Sequence, residues 1–532
     1  MLNEYLHRFA EKFDPRKTMD QIQACAQSKE GAIGITAALA LIAGAAIYRA
    51  KKIDYGVPQV PASGLFGSST DEYRRDPRAF ITKWEKKLGA VYGAQLFGQH
   101  ATVVSGPAVR EVFLNEGFSF TTGIMRAFNV TLLTNNLPET VLGTDEIADA
   151  IKKYLSPNLK SYTPRVIDHL EQGLRETCGQ VTDEGITLPH FFPLVQDAVA
   201  RASASVFVGL ELAKNEALID SFKNMVIQIG SEVKPIPWLE PFPTLMRLRF
   251  YIIGKMSPVV QRHRDQLADA LRPEVDRRLK ALESGDTNWE RPDDVLQDLL
   301  ENVTPPAGID MIDYLVSWLT VLVFASIHTT SENGEVVLYR LLQHPELLDE
   351  LYQEQNQVLE EAGYDASVGP EVFTRELLNK FTKLDSVIRE TARVRANYIT
   401  LPHTNITNHP IVLSCGARIL PGENCFINVY SNHNDPSLQL AIDDLNEFKP
   451  LRFAGQETNA TKIGDSYLFF GMGKHACPGR WFAVQEMKTI VSLLLRKYRL
   501  ESPDTITFVQ QERVFFPLNP CRVKLVPRSP QA

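Results

Sequence analysis

The chain has 532 residues, of which 44% are hydrophobic and 23% charged, the composition of a globular protein with a large core and not of a disordered or fibrous chain. A net charge of −8 without any long basic run argues against nucleic acid as the main partner, because phosphate binding needs clustered Lys and Arg. The six cysteines, Cys25, Cys178, Cys415, Cys425, Cys477 and Cys521, include no C-x-x-C pair, which argues against zinc-ribbon or dithiol chemistry and fits a reducing compartment.

Residues 1–30 form a mixed-charge N-terminal segment. From Gly31 to Tyr48 the chain reads GAIGITAALALIAGAAIY, uncharged and closed by Arg49, Lys51 and Lys52. As a helix this run is roughly 27 Å long, close to the hydrocarbon thickness of a bilayer, and is expected to form a single transmembrane anchor over 31–48. A buried Ala-rich helix is the alternative. The preceding mixed-charge stretch argues against a cleaved signal peptide, and Glu4, Glu11, Asp14 and Asp20 argue against a mitochondrial presequence. Basic residues flank both ends, so charge sets no orientation. Residues 49–64, ending in VPQVPASG, read as a basic, proline-stiffened hinge, and 65–532 as one large domain.

Within that domain, Ala90 to Val104 has the Gly-punctuated look of a β-hairpin, and a helix is expected from Pro107 to Leu114. Helical periodicity then dominates to about residue 395. It includes a long apolar helix from about Ile309 to Leu342, stopped by Pro345, and a helix carrying KLDSVIRETARV before the extended stretch Asn397–Leu401. Strand-like segments recur over Ile411–Ile427 and Cys521–Val526. The class is mainly α with small β-sheets.

Near the C-terminus, FFGMGKHACPGRWFAVQEMKTIVSLLL matches F-x-x-G-x-x-x-C-x-G at Phe470, Gly473, Cys477 and Gly479, with an apolar-periodic helix beginning just after the cysteine. Such a helix aims free N–H groups and its positive dipole end at the sulfur, which favours thiolate. The two glycines permit close backbone approach, and Phe470 can shield the sulfur from water. A buried structural cysteine would not need this ten-residue pattern. A zinc site built on His475 and Cys477 lacks two further spaced ligands.

On these residues the chain resembles the cytochrome P450 family, over about residues 65 to 528. The resemblance implies that fold, haem b with Cys477 as the iron ligand, and monooxygenase activity. Further motifs lie in the expected order. Glu390 and Arg393 form E-x-x-R on one helical face, and FKPLRF (Phe448 to Phe453) resembles the family's F-x-P-x-R-F, making Arg452 the third member of a buried structural cluster. In the long helix, Ala325 and Thr329 match A/G-G-x-D/E-T-T, whereas Ser326 and His328 depart from it. The resemblance gives Thr329 a part in delivering protons during oxygen activation. His328, in place of the usual acid, keeps a proton-transfer group. Ser326 is expected to back-bond to helix carbonyls and contribute to a local bend. The positions that hold haem propionates correspond to His475, Lys152 and His403; arginine is commoner at the last two, and Ala148 replaces the tryptophan of the W-x-x-x-R pattern.

By the same resemblance, Val321, Phe324, Ala325, Ile399 and Phe515 line the substrate pocket. Their apolar character implies a lipophilic substrate, of a steroid or terpenoid kind. Electrons are expected from NADPH through a separate NADPH–cytochrome P450 reductase, with cytochrome b5 as a second donor. The docking face would be formed by Lys474, Arg480, Lys488, Lys152 and Lys153. The implied setting is the endoplasmic reticulum membrane, single-pass, with the catalytic domain cytosolic. Two rivals remain: a haem-thiolate isomerase or dehydratase that does not use O2, and a non-catalytic haem or sterol-binding protein.

Overall fold

The computed structural model describes residues 54–61, 68–128, 144–234, 236, 239–240, 242–285, 288–365, 368–396, 398–439, 444–511, 514–517 and 521–528. Its largest sheet grows from the hairpin Val91–Leu96 and Gln99–Val104. The two-residue turn, Phe97 and Gly98, has φ of 54° and 76°, the sense of twist that joins antiparallel strands in a tight hairpin. A Cβ on Gly98 would also stand 1.8 Å from the Glu240 carbonyl oxygen. Thr102 pairs in parallel with Cys425, adding strand Asn424–Asn428. Strands Ile399–Asn405 and Phe118–Ser119 complete the sheet, the former with a register shift between Thr400 and His403.

The segment expected as the second half of a free hinge is docked on this sheet. Gly93 N–H donates to the Pro58 carbonyl at 2.9 Å, Val60 N–H donates to the Gly93 carbonyl at 2.8 Å, and Val60 is buried. Pro58 and Pro61 hold the backbone in a form compatible with an edge strand, so this stretch belongs to the domain. A second pairing joins segments far apart in the chain. Val523–Pro527 pairs antiparallel with both Ile186–Leu188 and Tyr498–Glu501.

The long helix runs Met311–Gln343. The Asp310 side chain caps it by accepting from Ile312 N–H at 2.9 Å, and the His344-Pro345 step ends it. It is the one helix among the described residues long and apolar enough to cross a bilayer, yet 67% of its most apolar stretch is buried. Helices Phe192–Phe207, Pro258–Ser284 and Arg480–Lys497 pack around it, and Leu315, Trp318, Leu322 and Val323 join Val195, Val199, Ile490 and Leu494 in one core. It is therefore the central helix of the domain. The expected anchor at 31–48 lies outside the described residues.

One carboxyl is enclosed in this core. Glu486 is fully buried and accepts from the Ser203 hydroxyl at 3.1 Å, while burial pushes its pKa well above the usual carboxylate range. The folded state therefore keeps a proton that the unfolded chain releases near pH 4.3, and stability falls as pH rises above about that value. Glu486→Gln keeps the shape and removes the titration, so its urea midpoint at pH 8 is expected to exceed that of the unaltered protein. Equal midpoints at pH 8 would mean that the carboxyl ionises in place without cost.

Candidate functional site

The cysteine loop is built largely from main-chain hydrogen bonds. Cys477 N–H donates to the Phe470 carbonyl at 2.8 Å and Gly471 N–H to the Leu468 carbonyl at 2.9 Å. The tight path needs left-handed backbone at Gly471 (φ 69°) and Gly473 (φ 62°), which a side chain would strain. Gly471 was not singled out from sequence; its place between a double Phe and Gly473 was the available signal. Gly479 has an ordinary φ of −84° and caps the helix Arg480–Lys497. Phe470 is half-buried and meets Phe469 edge-on, with ring centroids 4.8 Å apart.

The Cys477 side chain sits at the start of that helix. Burial pushes its thiol up, whereas the N–H groups of Gly479 and Arg480 and the Arg480 guanidinium pull it down. Arg480 also donates to the Cys477 carbonyl at 2.8 Å and to the Thr461 carbonyl at 3.2 Å, and stacks 3.4 Å from the Trp481 ring centroid. Ser156 donates to the Pro478 carbonyl at 3.1 Å. The loop is thus held from both sides, with donors aimed at sulfur.

Two histidines lie beside the loop. His403 is fully buried and its Nδ1 is 2.7 Å from the Leu401 carbonyl, which it can satisfy only as a donor; His475 makes a main-chain hydrogen bond with Phe118. Their rings are 5.6 Å apart, and the Nε2 atom of each is buried without a partner. Burial lowers the His403 pKa to about 4 and lowers that of His475, with Lys474 contributing to both. Buried polar atoms are ordinarily satisfied, and an anion placed between these rings would favour protonation of both imidazoles from solvent and accept from their Nε2–H groups. Lys152 does not join them: it is half-exposed and pairs with Asp149 at 3.0 Å, acting on His475 only through its charge. Ala148 lies one turn earlier, in helix Thr144–Ala150.

On the long helix, Val321, Ala325 and Thr329 recur every fourth residue and so share a face. Val321 is buried, Phe324 half-buried, and Ala325 and Thr329 exposed. The Thr329 hydroxyl reaches the Ala325 carbonyl at 2.8 Å and the Ser326 carbonyl at 3.2 Å, and Ser326 back-bonds to Leu322 at 2.8 Å. One turn on, Asn333 lines a small cavity with Val337, Phe470 and Met487, which brings this part of the helix against the cysteine loop. His328 is not isolated. Its Nε2 lies 2.6 Å from Glu332, and Glu332 pairs with buried Arg395 at 2.7 Å. His328 and Arg395 hold the Glu332 carboxyl below its usual range against the opposing effect of burial. Nearby Glu335 is pushed up to about 8 by burial and by the Glu332 charge. The i,i+4 spacing of His328 and Glu332 was a legible signal; Arg395 was not, because it comes from another helix.

Ile399 is 1% exposed and packs with Tyr73, Phe80, Trp84 and Phe426. Strand alternation turns it into the core beneath the hairpin and its neighbours Tyr398 and Thr400 to the opposite face, so Ile399 is a core residue and not a lining one. Phe515 belongs to strand Val514–Pro517, and its side chain lies outside the described residues. The basic face also loses a member. Lys488 is buried, paired with Asp385 at 2.5 Å and bonded to the Leu378 carbonyl at 3.3 Å.

Behind the loop, Glu390, Arg393 and Arg452 form a buried cluster. Arg393 donates to both Glu390 oxygens, at 2.7 and 2.8 Å, and Arg452 Nε donates to Oε1 at 3.0 Å. The remaining Arg393 donors reach the carbonyls of Leu445 at 2.8 Å and His433 at 3.2 Å. His433 carries the connection onward. Its Nδ1 is 3.1 Å from the Arg393 carbonyl, and its Nε2 accepts from Leu468 N–H at 2.8 Å. One imidazole therefore joins the E-x-x-R helix to the first residue of the loop turn, and burial keeps it neutral by lowering its pKa to about 3.

Comparison with known proteins places this arrangement. The family model described as Cytochrome P450 matches residues 58–525. Cytochrome P450 monooxygenase 151 of Postia placenta is 26% identical over 459 residues, covering 83% of this chain and 84% of that protein. Cytochrome P450 monooxygenase terK of Tolypocladium album is 27% identical over 385 residues, covering 69% and 68% respectively. Among solved structures, the retinoic acid-bound cyanobacterial CYP120A1 superposes with a TM-score of 0.62 at 21% identity, covering 89% of this chain and 99% of that one. This last likeness concerns the fold alone.

Proposed function

Because the chain belongs to the cytochrome P450 family and is a monooxygenase of that family, we propose that Cys477 is its proximal haem ligand and that it inserts one atom of O2 into a lipophilic small molecule. The observation that carries this reading is a half-buried cysteine just before the helix Arg480–Lys497, in a loop closed by main-chain bonds, with the N–H groups of Gly479 and Arg480 acting on its sulfur. The donor set suits a thiolate, and the orphaned Nε2 atoms of His403 and His475 suit the carboxylates of a propionate-bearing porphyrin. When bound, a thiolate-ligated haem supplies electron density that favours O–O cleavage.

The chain's own residues then have separable tasks. Cys477 and its loop hold the proximal side, with Phe470 excluding water from sulfur. His403 and His475 would hold the propionates through their Nε2 atoms, each keeping its main-chain carbonyl through Nδ1 or an equivalent donor. Lys152, paired with Asp149, contributes charge at that edge. Thr329, whose hydroxyl both accepts and donates, rests its proton on the Ala325 and Ser326 carbonyls and, turned away from them, would relay a proton taken from solvent. His328, tied to Glu332 and through it to Arg395, stands where the family usually has an acid, so its Glu332 partner restores a carboxylate one turn away.

Electrons come from NADPH through a separate reductase, with cytochrome b5 as a second donor, at a proximal face of Lys152, Lys153, Lys474 and Arg480. The apolar run 31–48 anchors the protein in the endoplasmic reticulum membrane, the catalytic domain remains cytosolic, and the substrate is of a steroid or terpenoid kind lining against Val321, Phe324 and Ala325.

In protein reconstituted with reductase and NADPH, Thr329→Ala is expected to lower product formed per NADPH consumed severalfold while substrate binding is retained. Unchanged coupling would remove Thr329 from its assigned role. Product formed without NADPH or reductase would replace the monooxygenase reading with that of an isomerase or dehydratase.

A further inference from the structure

Away from the cysteine loop, a cleft of about 420 Å³ opens between the carboxyl end of the long helix, the start of helix Pro77–Leu88 and the segment around Phe508. Arg340 forms one wall. Its guanidinium lies 3.7 Å from the Phe508 ring centroid and 4.7 Å from that of Phe448, and its one hydrogen bond among the described residues goes to the Gln343 amide oxygen at 2.9 Å. Arg78 contributes from the helix Pro77–Leu88, bonded to the Tyr430 hydroxyl and the Asn446 amide oxygen, each at 2.9 Å. Among the described residues neither guanidinium touches a carboxylate.

Six other arginines packed inside the described residues differ. Arg201, Arg278, Arg393 and Arg395 end on carboxylates, and Arg264 and Arg389 end on main-chain carbonyls. Arg340 has neither. Loss of water pushes its pKa down to about 10, and the one carboxylate that acts on it, Glu390, is already committed to Arg393 and Arg452. Aromatic faces attract a guanidinium without neutralising it, and of five N–H donors only one has a hydrogen-bond partner among the described residues. A half-buried guanidinium with open donors beside a second one is a place where an anion can bridge the two.

We propose that the cleft binds a phosphomonoester-class oxyanion between Arg340 and Arg78, with the Asn446 amide and Thr507 hydroxyl as further partners. Two forks from different elements suit a dianion with several oxygens, and Phe448 and Phe508 offer apolar surface to the group that the phosphate carries. The anion would join the long helix to the helix that begins at Pro77. The same chemistry can come from a soluble phosphate ester or from an acidic lipid headgroup.

The test uses the full-length, haem-loaded protein with inorganic phosphate as probe, against chloride at matched ionic strength. Phosphate is expected to raise the unfolding temperature in a saturable manner, and the shift should be lost in Arg340→Gln and in Arg78→Gln, with Arg340→Lys retaining part of it. Arg78→Gln, which changes a partly exposed side chain, carries the test if Arg340→Gln does not fold. No saturable shift, or the same shift in both variants as expected of a salt excluded from the surface, overturns the proposal. Flotation with phosphatidylcholine vesicles, with and without phosphatidic acid, separates the sources. An increment from phosphatidic acid that Arg78→Gln abolishes assigns the anion to a headgroup, and saturable phosphate binding without that increment assigns it to a soluble ester.

Discussion

Cys477→Ser is expected to abolish turnover and to replace the red-shifted, thiolate-type Soret band of the reduced, CO-bound protein, while leaving the fold in place. The loop does not depend on the sulfur. Its bonds use the Cys477 N–H and carbonyl, to Phe470 and from Arg480, and serine preserves both. What changes is the charge that can be held there, because a hydroxyl at a helix start does not ionise where a thiol beside a metal cation does. The visible spectrum and the haem content of the purified variant are the measurements. A wild-type spectrum would transfer the ligand to another residue; an apoprotein that retains the native unfolding transition would support the assignment.

Arg393→Ala is expected to be the most damaging substitution outside the loop. Arg393 is 1% exposed and Glu390 is wholly buried, so truncation leaves a buried carboxylate facing only Arg452 and the Lys449 amide, the latter at 3.0 Å. Breaking a buried pair costs about 3–5 kcal/mol, a large share of the roughly 5–15 kcal/mol that separates folded from unfolded protein. The expected result is a steep fall in folded, haem-containing yield. Arg393→Lys should not restore it, because a point charge cannot reproduce the two-pronged contact with Glu390. The damage should also reach the loop, since the Arg393 carbonyl holds His433 and His433 holds Leu468. A stable Arg393→Ala protein with native haem content would show that the cluster is dispensable.

Much of this was legible from local pattern. The hairpin around Phe97 and Gly98, the long apolar helix and the ten-residue loop are short-range features in which spacing reports geometry, and each lies within a few residues of its expected place. The triad was readable although Arg452 is remote, because FKPLRF resembles a known motif. What escaped the reading shares one cause. Val57–Pro61 looked like a linker because its two prolines stiffen a chain whether or not it is docked. Ile399 looked like a lining residue because one strand has two faces, and its partner strands decide which is inside. Lys488 looked like surface charge until Asp385 from another helix covered it.

The amino-acid sequence alone therefore determined the family, the loop around Cys477 and the helix that supports it, since a cysteine, its glycines and the apolar period that follows act within a few turns of chain. The tertiary structure decided the electrostatics around that centre. It brought Arg395 to Glu332 and Glu332 to His328, enclosed His403 and His475 with an unpartnered nitrogen each and, away from that centre, left Arg340 between two rings with no carboxylate among the described residues. Such properties depend on distance and on exclusion of water between groups far apart in the chain, and both come into being only when the elements pack.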